Sequence, residues 1–575
     1  MKLNLDLLDW LGLAIFLFLT LIISIRYSQK RGNLSSYFQA EGKLPWFVAG
    51  TAMVATTFAA DTPLAVTEFV AKDGISGNWS WWFLAFGSVF TVFFFAPLWK
   101  RSGVGTDLEF LELRYSGLGS KFLRAAKAVY LGGFLNIIIL AWVNLAMLKI
   151  LSSFLEENYA IAALVFLMLF ALAYTSLLGL KGISYLDVFQ FFFAMSGCII
   201  LAINILNLDA IGGLEGLKAK SPESKLEFFP KIDDWSGFLI LILFLWWNSW
   251  YPGSEPGGGG YIAQRILASE NETAATRATL WFVFAHYFIR PWPWILVALA
   301  SLILFPNLSE QEKGKGFIYA IEYGMGSGGK GILLSSFLAA YLSTVATHLN
   351  WGSSYLVQDL TKPYLMRGRS DSEYLKHSYI LQASSALFAI LVCVYLLETV
   401  RAAWVFLLEA SAGIGFALVF RWFWWRVSAW SELAGFLVAP LFFFCVSHFT
   451  DLVFPYSAFL TGLLTIGFVL GVTILGPKTE EKRLEDFYNR VRPWGWGWTI
   501  WAKKKGFPTY RSEWFLRSSG VFLSVICIFS GLYSLGGIFF SPGTPLIFSL
   551  GLFLSSGLMV LKILKSLTTP DSNSL

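Results

Sequence analysis

Three stretches of the chain set hydroxyls or helix breakers inside long apolar runs, and the chemistry they suit is the holding of a small cation and a polar solute. In GILLSSFLAAYLSTVATHLNW (331–351), Ala340, Ser343 and Thr344 fall at i, i+3 and i+4, on one face of a helix. Two hydroxyls and a nearby carbonyl are hard, uncharged oxygens of the kind small hard cations take as ligands. The same spacing also serves as packing glue between membrane helices. In WFVAGTAMVATTFAADTPLAVTEFVA (46–71), Pro63 lacks an N–H and its ring opposes the carbonyl of residue 59, while Thr62 before it is pushed away from helical geometry. Carbonyls near Phe58 and Ala59 then lose helical partners, a costly state in hydrocarbon unless they line a cavity or face a cation. In LILFLWWNSWYPGSEPGGGGYIAQR (241–265), Pro252, Pro256 and the run Gly257 to Gly260 preclude a continuous helix.

The elements that position these residues are membrane helices. Of 575 residues, 56% are hydrophobic and 14% charged, against about 25% charged in soluble proteins. Such a chain cannot cover its own surface with water-compatible groups, which excludes a soluble enzyme, a disordered scaffold and a nucleic-acid-binding module. The 25 Trp and 54 Phe suit lipid-facing and interfacial positions. Fifteen apolar runs are long enough to span a bilayer, near 9–25, 46–70, 79–98, 128–153, 160–178, 183–206, 236–262, 278–303, 331–354, 378–400, 402–424, 428–449, 455–476, 514–537 and 544–564. Their length and continuity predict a helical bundle, not a barrel. No cleavable leader is expected, because Asp6 and Asp9 precede the first run. The four cysteines lie in apolar runs without CxxC spacing and read as small core hydrophobes.

With the N-terminus outside, loops on the cytoplasmic side carry 31 of the 43 Lys and Arg residues, as the positive-inside rule requires. The expectation is an integral protein of the plasma or inner membrane with a cytoplasmic C-terminus. The basic, Trp-rich stretch near 477–513 fits ordinary positive-inside bias, and its charge also suits anionic lipid. The two broken spans are the second and the seventh, five positions apart, which points to two inverted five-helix halves with a site at the midplane.

On these residues the chain resembles the sodium/solute symporter family, which includes the sodium/proline and sodium/galactose transporters. The likeness runs in order over about residues 9–450 through LSSYFQAEGKLPWF, TDLEFLELRYSG, LLGLKGISYLDVFQ, YIAQR, LAAYLSTVATHLN and VQDLTKPY. It implies an all-α polytopic membrane protein with a five-plus-five inverted-repeat, leucine-transporter-like core. One extra helix would precede the core and about four would follow it. The implied divisions are 1–45 (extra helix and loop), 46–206 (first repeat), 207–426 (second repeat) and 427–575 (accessory helices). The resemblance implies Na+ as coupling ion, held by carbonyls of Ala55, Phe58 and Ala340 and hydroxyls of Ser343 and Thr344, with Asp187 aiding sodium exit. Solute contacts would fall on Thr57, Asp61, Thr62, Gly259, Tyr261 and Glu409. Glycines replace the polar residues that precede the tyrosine of the second break in the family, so the solute is not inherited.

Intramembrane charges are expensive and usually functional, and here they are Asp61, Glu68, Glu255, His286, Arg290 and Glu409. Asp61 serves a solute or caps the half-helix after the break. Arg290 pairs or snorkels, and His286 and His348 read as interhelical hydrogen-bond formers in preference to proton relays. Trp246, Trp247, Trp250 and Tyr251 flank the second break and could stack on a solute or pack against lipid. The expected activity is import of a sugar, polyol or zwitterionic amino acid such as proline by alternating access, without catalysis. The rivals are a proton-coupled transporter of the same fold, a solute-sensing receptor and a membrane-embedded enzyme. Expected partners are the solute and membrane lipid, with no nucleic acid and no stated oligomeric state.

Overall fold

The computed structural model describes residues 3–28, 33–250, 256–309, 312–397, 400–509, 512–540 and 543–568. Its regular structure is helical, with no strand among the described residues. In chain order, the helices used below begin with α1 (Leu7–Arg26), α2 (Trp46–Thr57), α3 (Asp61–Asp73), α4 (Asn136–Phe154) and α5 (Glu157–Leu206). They continue with α6 (Trp235–Asn248), α7 (Gly260–Ala268), α8 (Pro291–Leu304), α9 (Gly329–Tyr355) and α10 (Asp371–Tyr395). The last are α11 (Val400–Ala410), α12 (Ile414–Phe423), α13 (Ala429–Phe449), α14 (Tyr456–Leu475), α15 (Ser512–Phe540) and α16 (Thr544–Thr568).

Among the described residues, ten helical stretches are long and apolar enough to cross a membrane, or up to 12 when each of two bent pairs is counted as one span. Two shorter apolar helices, α2 and α6, stand at the breaks expected from Pro63 and from the Pro/Gly run. The acidic pair before the first run has a local purpose. Asp6 and Asp9 form a reciprocal capping box at the start of α1 (2.9 and 3.0 Å). Asp9 also accepts the Gly331 N–H at 2.8 Å, tying α1 to the start of α9.

Local chemistry sets where the helices bend. Runs 160–178 and 183–206 are two helical segments within Glu157–Leu206 that meet at a kink at Gly179, with φ 57°. That left-handed geometry favours glycine, and an added Cβ would meet the Tyr37 carbonyl at 3.0 Å. Run 402–424 is not continuous. It turns by 54° between α11 and α12, at Gly413 with φ 98°. The third run also bends, by 41°, between Ile75–Trp82 and Leu84–Ser102. Neither bend follows from a proline inside the run.

The chain forms two compact units. The first takes residues 1–80, 128–230 and 285–403, and holds α1 to α5 and α8 to α10. The second takes residues 81–127, 231–284 and 404–575, and holds α6, α7 and α12 to α16 with residues 404–410 of α11. Each unit is therefore interleaved along the sequence, drawing segments from both halves of the expected repeat.

Candidate cation and solute site

The first unit contains all five expected cation ligands. Helix α2 stops at Thr57, and its amides close on early carbonyls: Phe58 N–H donates to Val54 O (2.9 Å) and Ala55 O (3.2 Å). Phe58 leaves the helix with ψ 77°, and α3 restarts at Asp61. Pro63 thus sits in the first turn of α3, where a missing N–H costs nothing. The interruption lies just before the proline, at Phe58 to Ala60.

Helix α9 presents its hydroxyl pair to this interruption and to α5. Thr344 Oγ1 lies 3.0 Å from both Ala340 O on its own helix and Thr56 O at the end of α2. One turn further, Thr347 and Thr56 join their hydroxyls at 3.0 Å. Ser343 Oγ donates to Asp187 Oδ1 at 2.7 Å. Asp187 is only 1% exposed, so its carboxylate is an interior group of α5 and not a solvated charge at a helix end. The neighbours of the pair are fixed as well: Tyr174 OH donates to Leu342 O (2.7 Å) and Tyr341 OH to Asn144 Oδ1 (2.8 Å).

The solute contacts expected on the first unit surround the same break. Asp61 is buried at the first residue of α3, with the Thr62 hydroxyl donating to its Oδ1 at 3.4 Å. A carboxylate there meets the positive end of the half-helix. The Thr57 hydroxyl lies 3.0 and 2.9 Å from the Met53 and Val54 carbonyls, and 3.0 Å from His286 Nδ1. His286 Nε2 is 3.5 Å from Arg290 Nη2. A neutral imidazole protonated at Nδ1 satisfies both contacts: it donates to Thr57 and accepts from Arg290. The Arg290 guanidinium lies over the rings of Phe58 (5.7 Å) and Trp294 (5.0 Å). His348 pairs with Asn136 at 2.7 Å. Glu68 is half-buried.

The remaining expected contacts belong to the second unit. Gly259 precedes α7 in extended backbone, and Tyr261 is buried in its first turn. Asp107 Oδ2 accepts the Gly260 N–H at 3.0 Å and caps the restarted helix. The end of α6 is stitched to the α11–α12 break: Ser411 Oγ donates to Trp250 O (2.7 Å), Trp250 N–H donates to Ser411 Oγ (3.1 Å), and Gly413 N–H donates to Asn248 O (2.9 Å). Glu409 accepts a hydrogen bond from Ser457 on α14. Trp246 packs on Phe86 and Phe90, and the Trp247 indole N–H bonds back to Leu243 O at 3.1 Å. Tyr251, Pro252 and Glu255 lie outside the described residues.

Sequence reasoning missed a buried ionic cluster in this unit. Glu432 on α13 accepts from Lys127 (2.5 Å), Tyr115 OH (2.6 Å) and Arg421 (3.3 Å). Arg114 gathers the carbonyls of Arg421, Trp424, Trp425 and Val427 at 3.1–3.2 Å, closing the end of α12. Burial pulls the Arg114 guanidinium down to about 10, still well above neutral pH, so the cation persists. The available signal was charge within apolar context, in ELRYSG and SELAGF.

Interrupted helices and paired hydroxyls inside an apolar bundle suit a cation-coupled membrane transporter. The sequence model of the Sodium:solute symporter family matches residues 37–439, and the chain belongs to that family. A sodium/glucose cotransporter of Vibrio parahaemolyticus is 24% identical over 491 residues, covering 79% of this chain and 87% of that protein. The sodium/sialic acid symporter SiaT of Proteus mirabilis (strain HI4320) is 21% identical over 392 residues, covering 65% and 75%. A solved Na+-coupled sialic acid symporter, in a substrate-bound outward-open state, superposes with a TM-score of 0.69 at 17% identity, over 83% of this chain and 99% of that one. The fold is leucine-transporter-like. The chain is an integral membrane transporter and not an enzyme, and its coupling ion is Na+.

Proposed function

We propose that the chain imports a small polar organic solute, a sugar, polyol or zwitterionic amino acid such as proline, by alternating access driven by Na+. Na+ is held by the carbonyls of Ala55, Phe58 and Ala340 and the hydroxyls of Ser343 and Thr344. The observation that carries this reading is the Thr344 hydroxyl, 3.0 Å from the Thr56 carbonyl, which brings α9 against the interrupted end of α2. None of the five ligands carries a formal charge, so the ion is held by dipoles alone and can leave. Asp187, bonded to Ser343, offers the departing ion a charged station. The N-terminus faces outward, the C-terminus faces the cytoplasm, and residues 46–206 and 207–426 form the inverted halves.

Thr57, Asp61 and Thr62 contribute solute contacts beside the ion, with Gly259, Tyr261 and Glu409 contributing from the second repeat. One Na+ falling through about 100 mV releases about 2.3 kcal/mol. A tenfold concentration ratio adds about 1.4 kcal/mol, enough together for roughly 500-fold accumulation. The ion assignment is tested by Ser343→Ala combined with Thr344→Ala in proteoliposomes. Sodium-stimulated uptake is expected to vanish, and undiminished stimulation rejects the assignment. A thermal-shift screen against neutral, zwitterionic and anionic solutes, with and without Na+, identifies the solute class.

A further inference from the structure

An open groove of about 740 Å³ runs along α14, lined by Leu463, Gly467, Phe468, Gly471 and Leu475 among other apolar groups, with Phe442 of α13 on its flank. Gly467 and Gly471 stand one turn apart, and a Cβ added at either would meet nothing within 4 Å. They form an open trough along α14 where another chain can approach the backbone closely. The rim is strongly apolar, with Phe468 47% and Leu475 87% exposed, so the groove is built for hydrocarbon.

One end of the groove is charged. Arg426 Nη2 donates to Ile474 O (2.7 Å) and to Gly476 O (3.0 Å), and Gly476 lines the groove. Its Nη1 is buried and makes no hydrogen bond among the described residues. Lys478 is exposed two residues further on. A long apolar trough ending at two cations matches an acyl chain joined to a phosphate.

We propose that this groove binds an anionic phospholipid, its acyl chain lying along Gly467 and Gly471 and its phosphate on Arg426 and Lys478. Charge favours this occupant over a second copy of the chain. A two-fold axis along the membrane normal would set two α14 helices side by side at one depth, and would bring Arg426 and Lys478 of both copies together.

The test is native mass spectrometry of the full-length protein after equilibration with vesicles of equal phosphatidylglycerol and phosphatidylcholine. The parent is expected to retain phosphatidylglycerol preferentially. Arg426→Gln and Lys478→Gln should each cut that preference about fivefold, and Gly471→Leu should reduce retention of both lipids. Lys478→Gln leaves the bonds at the end of α14 intact, so it reports on the headgroup without disturbing the helix. Equal retention of the two lipids by the parent overturns the proposal, as does a preference that survives all three substitutions. A dimer that is abolished by Gly471→Leu also overturns it, in favour of a second copy.

Discussion

Thr344 shares one hydroxyl proton between Ala340 O and Thr56 O, and a hydroxyl lone pair remains for an ion. Thr344→Ser keeps that oxygen, whereas Thr344→Val keeps only the shape. Sodium-stimulated uptake is expected to persist in the serine variant. In the valine variant the half-saturating sodium concentration should rise about tenfold or more, on the scale of one buried polar contact. Sodium titrations of uptake read the difference. On the proposed assignment Asp61, at the head of α3, contacts the solute, so Asp61→Asn should weaken solute uptake more than it weakens sodium binding. Parallel solute and sodium titrations separate the two, and equal uptake by variant and parent removes Asp61 from the site. The hydroxyl pair was legible because helical spacing alone puts Ser343 and Thr344 on one face. Asp107 and Glu432 were not, because their roles depend on partners distant in sequence: Gly260 for Asp107, and Lys127 and Tyr115 for Glu432.

At the scale of the element, breaks marked by proline are readable and breaks marked only by glycine are not. Pro63 announces the end of α2, because a pyrrolidine ring has a fixed conflict with the preceding turn. The α11–α12 break carries Gly413 alone, a residue that helices also tolerate for packing. Its φ of 98° exposes it only in three dimensions. A Cβ there would also stand 2.2 Å from Thr465 Cβ. Gly413→Ala should therefore destabilise the protein by about 1–3 kcal/mol, seen as a lowered Tm in detergent. Ser411→Ala removes both side-chain bonds between Trp250 and the α11–α12 break. It is expected to raise the solute KM several-fold with little change in the half-saturating sodium concentration.

For the molecule as a whole, composition was the most informative quantity, since 56% hydrophobic and 14% charged residues admit only a membrane-embedded fold. The grouping of helices into two units was not legible, because each unit collects three separate sequence segments and hydropathy says nothing about which helices become neighbours. Stability of the second unit is expected to depend on Glu432, the carboxylate that three donors share. Glu432→Gln leaves Lys127 and Arg421 buried without their anion and should cost about 3–5 kcal/mol. A fall in Tm far exceeding that of Lys505→Gln, whose partners Glu481 and Glu485 are at the surface, would bear this out.

The bonds from Asn248 and Trp250 to Ser411 and Gly413 tie the end of α6 to the α11–α12 turn. When either rod swings, the other must be carried along or three polar contacts must rupture in a place that water reaches poorly. In the alternating-access cycle proposed above, such a tie would add fidelity, because half-opened intermediates that would leak solute or ion become expensive. It gives up speed in return, so cutting the tie is expected to yield a looser and less tightly coupled machine.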